Sequence, residues 1–127
     1  MLYLCNGFST GMCIDPRIKR IDEPISEDDF IEIIHNSHFK SAIGHEALAN
    51  CLTKITGKKI VRNRLNLNCT YDDILIMVSL QGRLPERPSY VEYKGRLNYS
   101  VVRFEKQTML DIENSLNMIE KIKLGAL

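Results

Sequence analysis

Hydrophobic and polar positions along the chain change their period several times, and each change predicts an element. The run "MLYLCN" is short and apolar and is halted by Asn6-Gly7, which predicts a buried strand ending in a turn. A loop containing "FSTGMCIDPR" follows. Across "ISEDDFIEIIHN" the residues Phe30, Ile33 and Ile34 form one apolar stripe. Ser26 stands where an N-cap belongs and three acidic residues fill the first turn, so a helix starts there. "FKSAI" predicts a short strand closed by Gly44. From about His45 to Thr56, Ala47, Leu48, Cys51, Leu52 and Ile55 recur at helical spacing, with Gly57 suited to the C′ position.

The second half is read in the same way. "VRNRLNLN" alternates as a half-exposed strand does. "DILIMVSL" is an almost unbroken apolar run of the kind found in a central strand covered on both faces. "SYVEYKGRL" fits a short helix or a strand, and "NYSVVRFEK" a strand. Met109, Ile112, Leu116, Ile119 and Ile122 predict a C-terminal helix, serving the core or a subunit contact. Strands and helices intermix, so the expected fold is α/β, a single-domain mixed β-sheet flanked by helices over residues 1–127.

Composition adds limits. A chain of 127 residues, 44% hydrophobic, can bury one core. With 17 Lys and Arg against 16 Asp and Glu, the net charge of +1 supplies no long-range field for a polyanion, so nucleic-acid chemistry would have to be local. Cys5, Cys13, Cys51 and Cys69 contain no C-x-x-C pair and have no histidine at zinc-ligand spacing, which suits buried or idle thiols in a reducing cytosol. The N-terminus is too short and too polar for a signal peptide, and no stretch approaches the roughly 20 apolar residues that span a bilayer. A soluble cytoplasmic protein without metal or cofactor is expected.

Four stretches could carry chemistry. Gly44 and His45 open a helix, where backbone N–H groups and the dipole favour an anion; the alternative is a histidine hydrogen-bonded to the neighbouring loop. "LQGRLPE" follows the most hydrophobic strand, and its Arg83 and Glu86 could share a phosphate site or form an ordinary surface ion pair. "NGFSTG" places Ser9 and Thr10 between two glycines with Asn6 just before the first, suited to a phosphate or to a plain turn. "KKIVRNR" is either a solvated face or the rim of an anionic ligand's site. His35 and His38 lack acidic partners for a metal.

In their order and spacing, "MLYLCNGFS", "FKSAIGHEALANCL", "VRNRLNLN" and an apolar strand running into "QGRLPE" resemble the viral ring nuclease family, the type III anti-CRISPR enzymes of archaeal viruses and bacteriophages. The resemblance spans roughly residues 1 to 87 and has no counterpart for "YVEYKGRLNYSVVRFEK". It implies a metal-free homodimer that cleaves cyclic tetra-adenylate, the messenger of type III CRISPR defence, and thereby silences that defence. It further implies His45, Arg83, Glu86 and Ser9 as catalytic residues, with Asn6, Gly44, Arg64 and Gln81 holding the ligand.

Such cleavage can use the substrate's own 2′-hydroxyl. It then needs in-line positioning, fixed donors for the phosphorane and a proton for the leaving 5′-oxygen. Arg83 and the N–H groups of the Gly44–His45 turn suit the second task, and His45 suits the third. A helix start disfavours an imidazolium, whereas a bound phosphate favours it, so His45 is expected to act mainly in the complex. Glu86 would orient the 2′-hydroxyl or position Arg83. The products would be linear di-adenylates ending in a 2′,3′-cyclic phosphate. The rival expectations are a non-catalytic cyclic-nucleotide sponge and a nucleic-acid-binding regulator contacting its target through "KKIVRNR".

Overall fold

The computed structural model describes residues 1–7, 18–85, 87–106, 120, 122, 123 and 125. Its elements, in chain order, are β1 (Leu2–Cys5), β2 (Ile18–Ile25), α1 (Glu27–Asn36), β3 (Lys40–Ala42), α2 (Glu46–Thr56), β4 (Ile74–Leu80), α3 (Tyr90–Lys94) and β5 (Leu97–Lys106). The strands form one mixed sheet in the order β2-β5-β4-β1-β3, with β4 at its centre. β1 runs parallel to β3 and β4, while β5 is antiparallel to both β4 and β2. The α/β expectation holds. The proposed loop at 8–17 and most of the C-terminal helix, with Cys13, lie outside the described residues.

The helices begin and end where local chemistry directs. The Ser26 hydroxyl accepts from the Asp29 N–H at 3.1 Å, and Glu27, Asp28 and Asp29 occupy the positive end of α1. Ser89 and Glu92 form a reciprocal capping box on α3, which settles "SYVEYKGRL" as helix followed by strand. α2 ends at Gly57, whose φ of 71° lets its N–H reach the Thr53 carbonyl at 2.9 Å. A Cβ there would meet nothing within 4 Å, so Gly57→Ala costs only backbone strain. We expect a loss of about 1 kcal/mol, read from the urea midpoint.

The sheet buries both faces against different partners. Leu4, Ile76, Val78, Leu97 and Tyr99 pack under Phe30 and Ile34 of α1 and Leu48 and Leu52 of α2. The Phe30 ring stacks on Tyr99 with centroids 4.3 Å apart. On the opposite face Cys5, Ala42, Leu75, Val102 and Phe104 meet Leu67 and Cys69. Alternation along β4 sends Ile76 and Val78 one way and Leu75 the other, as its apolar run predicts.

Two expectations need correction. "VRNRLNLN" is no ladder strand: its pairing is a single parallel bridge between Ile43 and Arg62, and its leucines lie against the sheet face. Its alternation reflects burial on a sheet, which the same period of two produces without strand pairing. β2 has no counterpart among the predicted elements. Its "IKRIDEPI" is mostly exposed and contains Pro24, and it pairs only at the sheet's edge.

Candidate functional site

β1 and β3 are parallel neighbours and end level with each other, Cys5 opposite Ala42. The turns that leave them converge outside their carboxyl ends, the usual place for a ligand in such sheets. A cleft of about 340 Å³ opens there, lined by residues 5–7, by Ala42, Gly44 and His45, and by residues 64–67. Asn6, Gly44, His45 and Arg64, singled out separately from the sequence, therefore share one pocket.

The Gly44 peptide is the pocket's fixed point. Its N–H donates to Asn6 Oδ1 at 3.1 Å, and its carbonyl accepts from Arg62 Nε at 3.2 Å and Arg64 Nε at 3.5 Å. This alters two expectations. Gly44 N–H is engaged by Asn6 and is not free for a phosphate, whereas the N–H groups of the first turn of α2 have no intrahelical acceptor. Nor does the turn require glycine, because Gly44 is not among the positive-φ residues. A Cβ there would touch Arg64 Cγ at 3.6 Å and Asn6 Oδ1 at 3.9 Å, ordinary contacts that would occupy space at the pocket wall. Asn6→Ala leaves the half-buried Gly44 N–H without its acceptor and should lower unfolding stability by roughly 1–3 kcal/mol in a urea titration; an unchanged midpoint would show that Asn6 does not hold the turn.

His45 is the N-cap of α2 rather than its first helical residue. Its carbonyl accepts the Ala49 N–H at 3.0 Å, and its ring makes no capping hydrogen bond. The ring is exposed at the pocket and is not used to hold the helix. Cys5 also lines the pocket, where burial pushes its thiol up, only partly offset by a hydrogen bond from Gly7 and by Arg20. It is therefore held as a thiol, a weak nucleophile at neutral pH.

Gln81 and Arg83 follow β4 at the same end of the sheet, but neither lines this cleft. β4 continues past Met77, the partner of Cys5, to Leu80, and so carries them beyond the end of β1. Gln81 N–H donates to the Arg96 carbonyl at 2.7 Å, and Gly82 has a φ of 76°, so this turn does demand glycine. Ser9 and Glu86 lie outside the described residues.

"KKIVRNR" divides in two. Lys58 Nζ donates to the carbonyls of Ile34 at 3.1 Å and Ser37 at 3.5 Å, closing the end of α1. Arg62 and Arg64 turn to the Gly44 carbonyl instead. Arg62, expected only as part of a solvated face or the rim of an anionic ligand's site, does not line the cleft but meets the same carbonyl as Arg64; the spacing of two in "RNR" puts both arginines on one side of an extended segment. His35 Nε2 donates to the Thr56 carbonyl. Among the described residues no group of three or more His, Cys, Asp or Glu could hold a metal ion, and no helix is long and apolar enough to cross a membrane.

Relatives of the chain come from viruses of archaea. It is 29% identical over 110 residues to uncharacterized protein 26 of Sulfolobus islandicus filamentous virus, covering 85% of this chain and 93% of that protein. It is 39% identical over 88 residues to uncharacterized protein ORF117 of Acidianus two-tailed virus, covering 68% of this chain and 74% of the relative. The solved structure of B116 of Sulfolobus turreted icosahedral virus has the same fold, with a TM-score of 0.69 at 22% identity over 80% of this chain and 97% of that one. A family model described as STIV B116-like matches residues 2–93, and the chain belongs to that family.

Proposed function

We propose that the protein is a metal-independent ring nuclease that cuts cyclic tetra-adenylate and so acts as a type III anti-CRISPR factor. The observation that carries this reading is the convergence of Asn6, Gly44, His45 and Arg64 on one cleft at the carboxyl ends of β1 and β3. Arg64 spends its Nε on the Gly44 carbonyl and retains further guanidinium donors for a phosphate. Among the described residues no acidic side chain lines the cleft, which favours an anion.

The substrate's 2′-hydroxyl gives its proton to solvent water as its oxygen attacks the adjacent phosphorus, the bond to the 5′-oxygen breaks, and His45 gives its proton to that leaving oxygen and regains one from solvent. Cys5, held as a thiol, leaves the nucleophile's role to the ribose. The resemblance assigns Arg83 to the phosphorane and Glu86 to the 2′-hydroxyl or to Arg83, with Ser9 and Gln81 in support; Arg83 and Gln81 follow β4 at the same end of the sheet but outside the cleft, so their part requires a ligand that extends beyond it. A four-nucleotide ring exceeds a cleft of about 340 Å³, so a two-fold homodimer presenting two equivalent clefts suits it. Two cuts yield linear di-adenylate with a 2′,3′-cyclic phosphate.

The test is incubation of labelled cyclic tetra-adenylate with the protein in EDTA. Conversion to di-adenylate supports the reading, binding without turnover identifies a sponge, and neither binding nor turnover overturns it.

A further inference from the structure

A net charge near zero conceals a strong separation. Between Ile33 and Tyr71 stand Lys40, Lys54, Lys58, Lys59, Arg62 and Arg64 together with all three histidines, and of the chain's 16 acidic residues only Glu46 falls there. This stretch is strongly positive and the remainder is net negative. The view that the chain supplies no field for a polyanion holds for the whole molecule and fails for this part of it.

The fold gathers most of that charge along one edge. β3 is the last strand of the sheet, and the segment 60–63 runs beside it. Ser41 Oγ donates to the Val61 carbonyl at 2.7 Å, Asn63 Nδ2 to the Ser41 carbonyl at 2.7 Å, and Asn63 N–H to the Ile43 carbonyl at 2.8 Å. Lys40, Lys59, Arg62 and Arg64 are all exposed here. The ion pairs found among the described residues, Arg20–Asp22, Lys94–Glu27, Arg103–Glu105 and the N-terminus with Asp73, involve none of them. A second cleft of about 260 Å³, lined in part by His38, Phe39, Lys58 and Lys59, lies near the amino end of β3, and the His45 pocket lies at the other end. The six residue steps from His38 to Gly44 span at most about 20 Å.

We propose that this edge is a capture surface for the phosphates of a short single-stranded oligoadenylate, which binds first along Lys40, Lys59 and the His38 cleft and then moves to the His45 pocket. The proposal rests on reading that pocket as a phosphate site. A positive edge raises association rates about 10- to 1000-fold, and its reach is cut to roughly 10 Å at 0.1 M salt. Length sets the selectivity: a four-phosphate ligand stays within the positive stretch, whereas a long duplex overhangs it and meets the net-negative remainder.

Stopped-flow binding of fluorescently labelled cyclic and linear tetra-adenylate, from 20 to 300 mM NaCl, tests the surface on the full chain and on a K40E/K59E double variant. The expected result is association about tenfold slower in the variant at 20 mM, converging on the parent at 300 mM, with the dissociation rate constant unchanged. Equal association rates at low salt would overturn the proposal. So would a loss confined to dissociation, or tighter binding of a 20-base-pair DNA duplex than of linear tetra-adenylate. Should the parent bind neither adenylate, the functional reading fails, and the edge is then read by amide NMR shifts with sodium tripolyphosphate. Shifts at 38–40 and 58–60 that vanish at 300 mM NaCl would uphold the surface, and their absence would overturn it.

Discussion

Replacing His45 with alanine is expected to lower turnover of cyclic tetra-adenylate by roughly 10²–10⁴-fold, the range contributed by a positioned general acid. The substitution is unusually clean for a helix terminus. The cap of α2 is made by the His45 carbonyl, which alanine keeps, and the ring makes no capping hydrogen bond. Loss of activity should therefore come without loss of fold, and a urea midpoint close to the parent's confirms this. A cyclic tetra-adenylate with sulfur in place of the bridging 5′-oxygens, whose thiolate leaves without needing a proton, separates proton donation from simple contact. His45→Ala should cut this substrate nearly as fast as the parent does. A variant that kept the parent rate on the natural substrate, or that lost as much on the sulfur-bridged one, would remove His45 from the role of acid.

Phe30→Ala is expected to cost about 3–5 kcal/mol of unfolding free energy. Phe30 is 0% exposed, sits at the centre of the layer between helices and sheet, and stacks on Tyr99. Removing it opens a cavity and also ends the aromatic contact, itself worth about 0.5–1.5 kcal/mol. A domain of this kind has about 5–15 kcal/mol in total, so the loss takes a large share of it and the urea midpoint should fall steeply. Phe30→Leu restores most of the volume and should recover more than half of the loss. A Phe30→Ala cost below 1 kcal/mol (about a single buried CH₂) would mean that the α1 layer does not carry the core.

Where a segment's partners are its own neighbours in the chain, its sequence is a sufficient guide. Ser26 with its three acidic followers, and Gly57 closing α2, involve contacts within a few residues. The apolar run of β4 is nearly as direct, because a strand covered on both faces admits few polar residues. β2 shows the opposite case. Its charged, proline-containing sequence becomes a strand because β5 offers an unpaired edge beside it. "VRNRLNLN" shows a third: its period of two is real, yet its leucines answer to a sheet face rather than to strand neighbours.

The site divides along the same line. Residue types suited to an anion, glycine before histidine at a helix start and arginines two apart, are written in the chain itself. That Asn6 lies against Gly44, 38 residues away, and that Arg62 and Arg64 grip the same peptide, was decided by the parallel pairing of β1 with β3 and by the segment running beside β3. The sequence by itself determined the local elements, the apolar faces and the kinds of side chain on offer, because these depend on short-range periodicity and capping. Tertiary structure alone decided which of them meet and which donors are already engaged, because each depends on contacts between residues far apart in the chain; the positive stretch is written in the sequence, and the fold lays it along the edge beside β3.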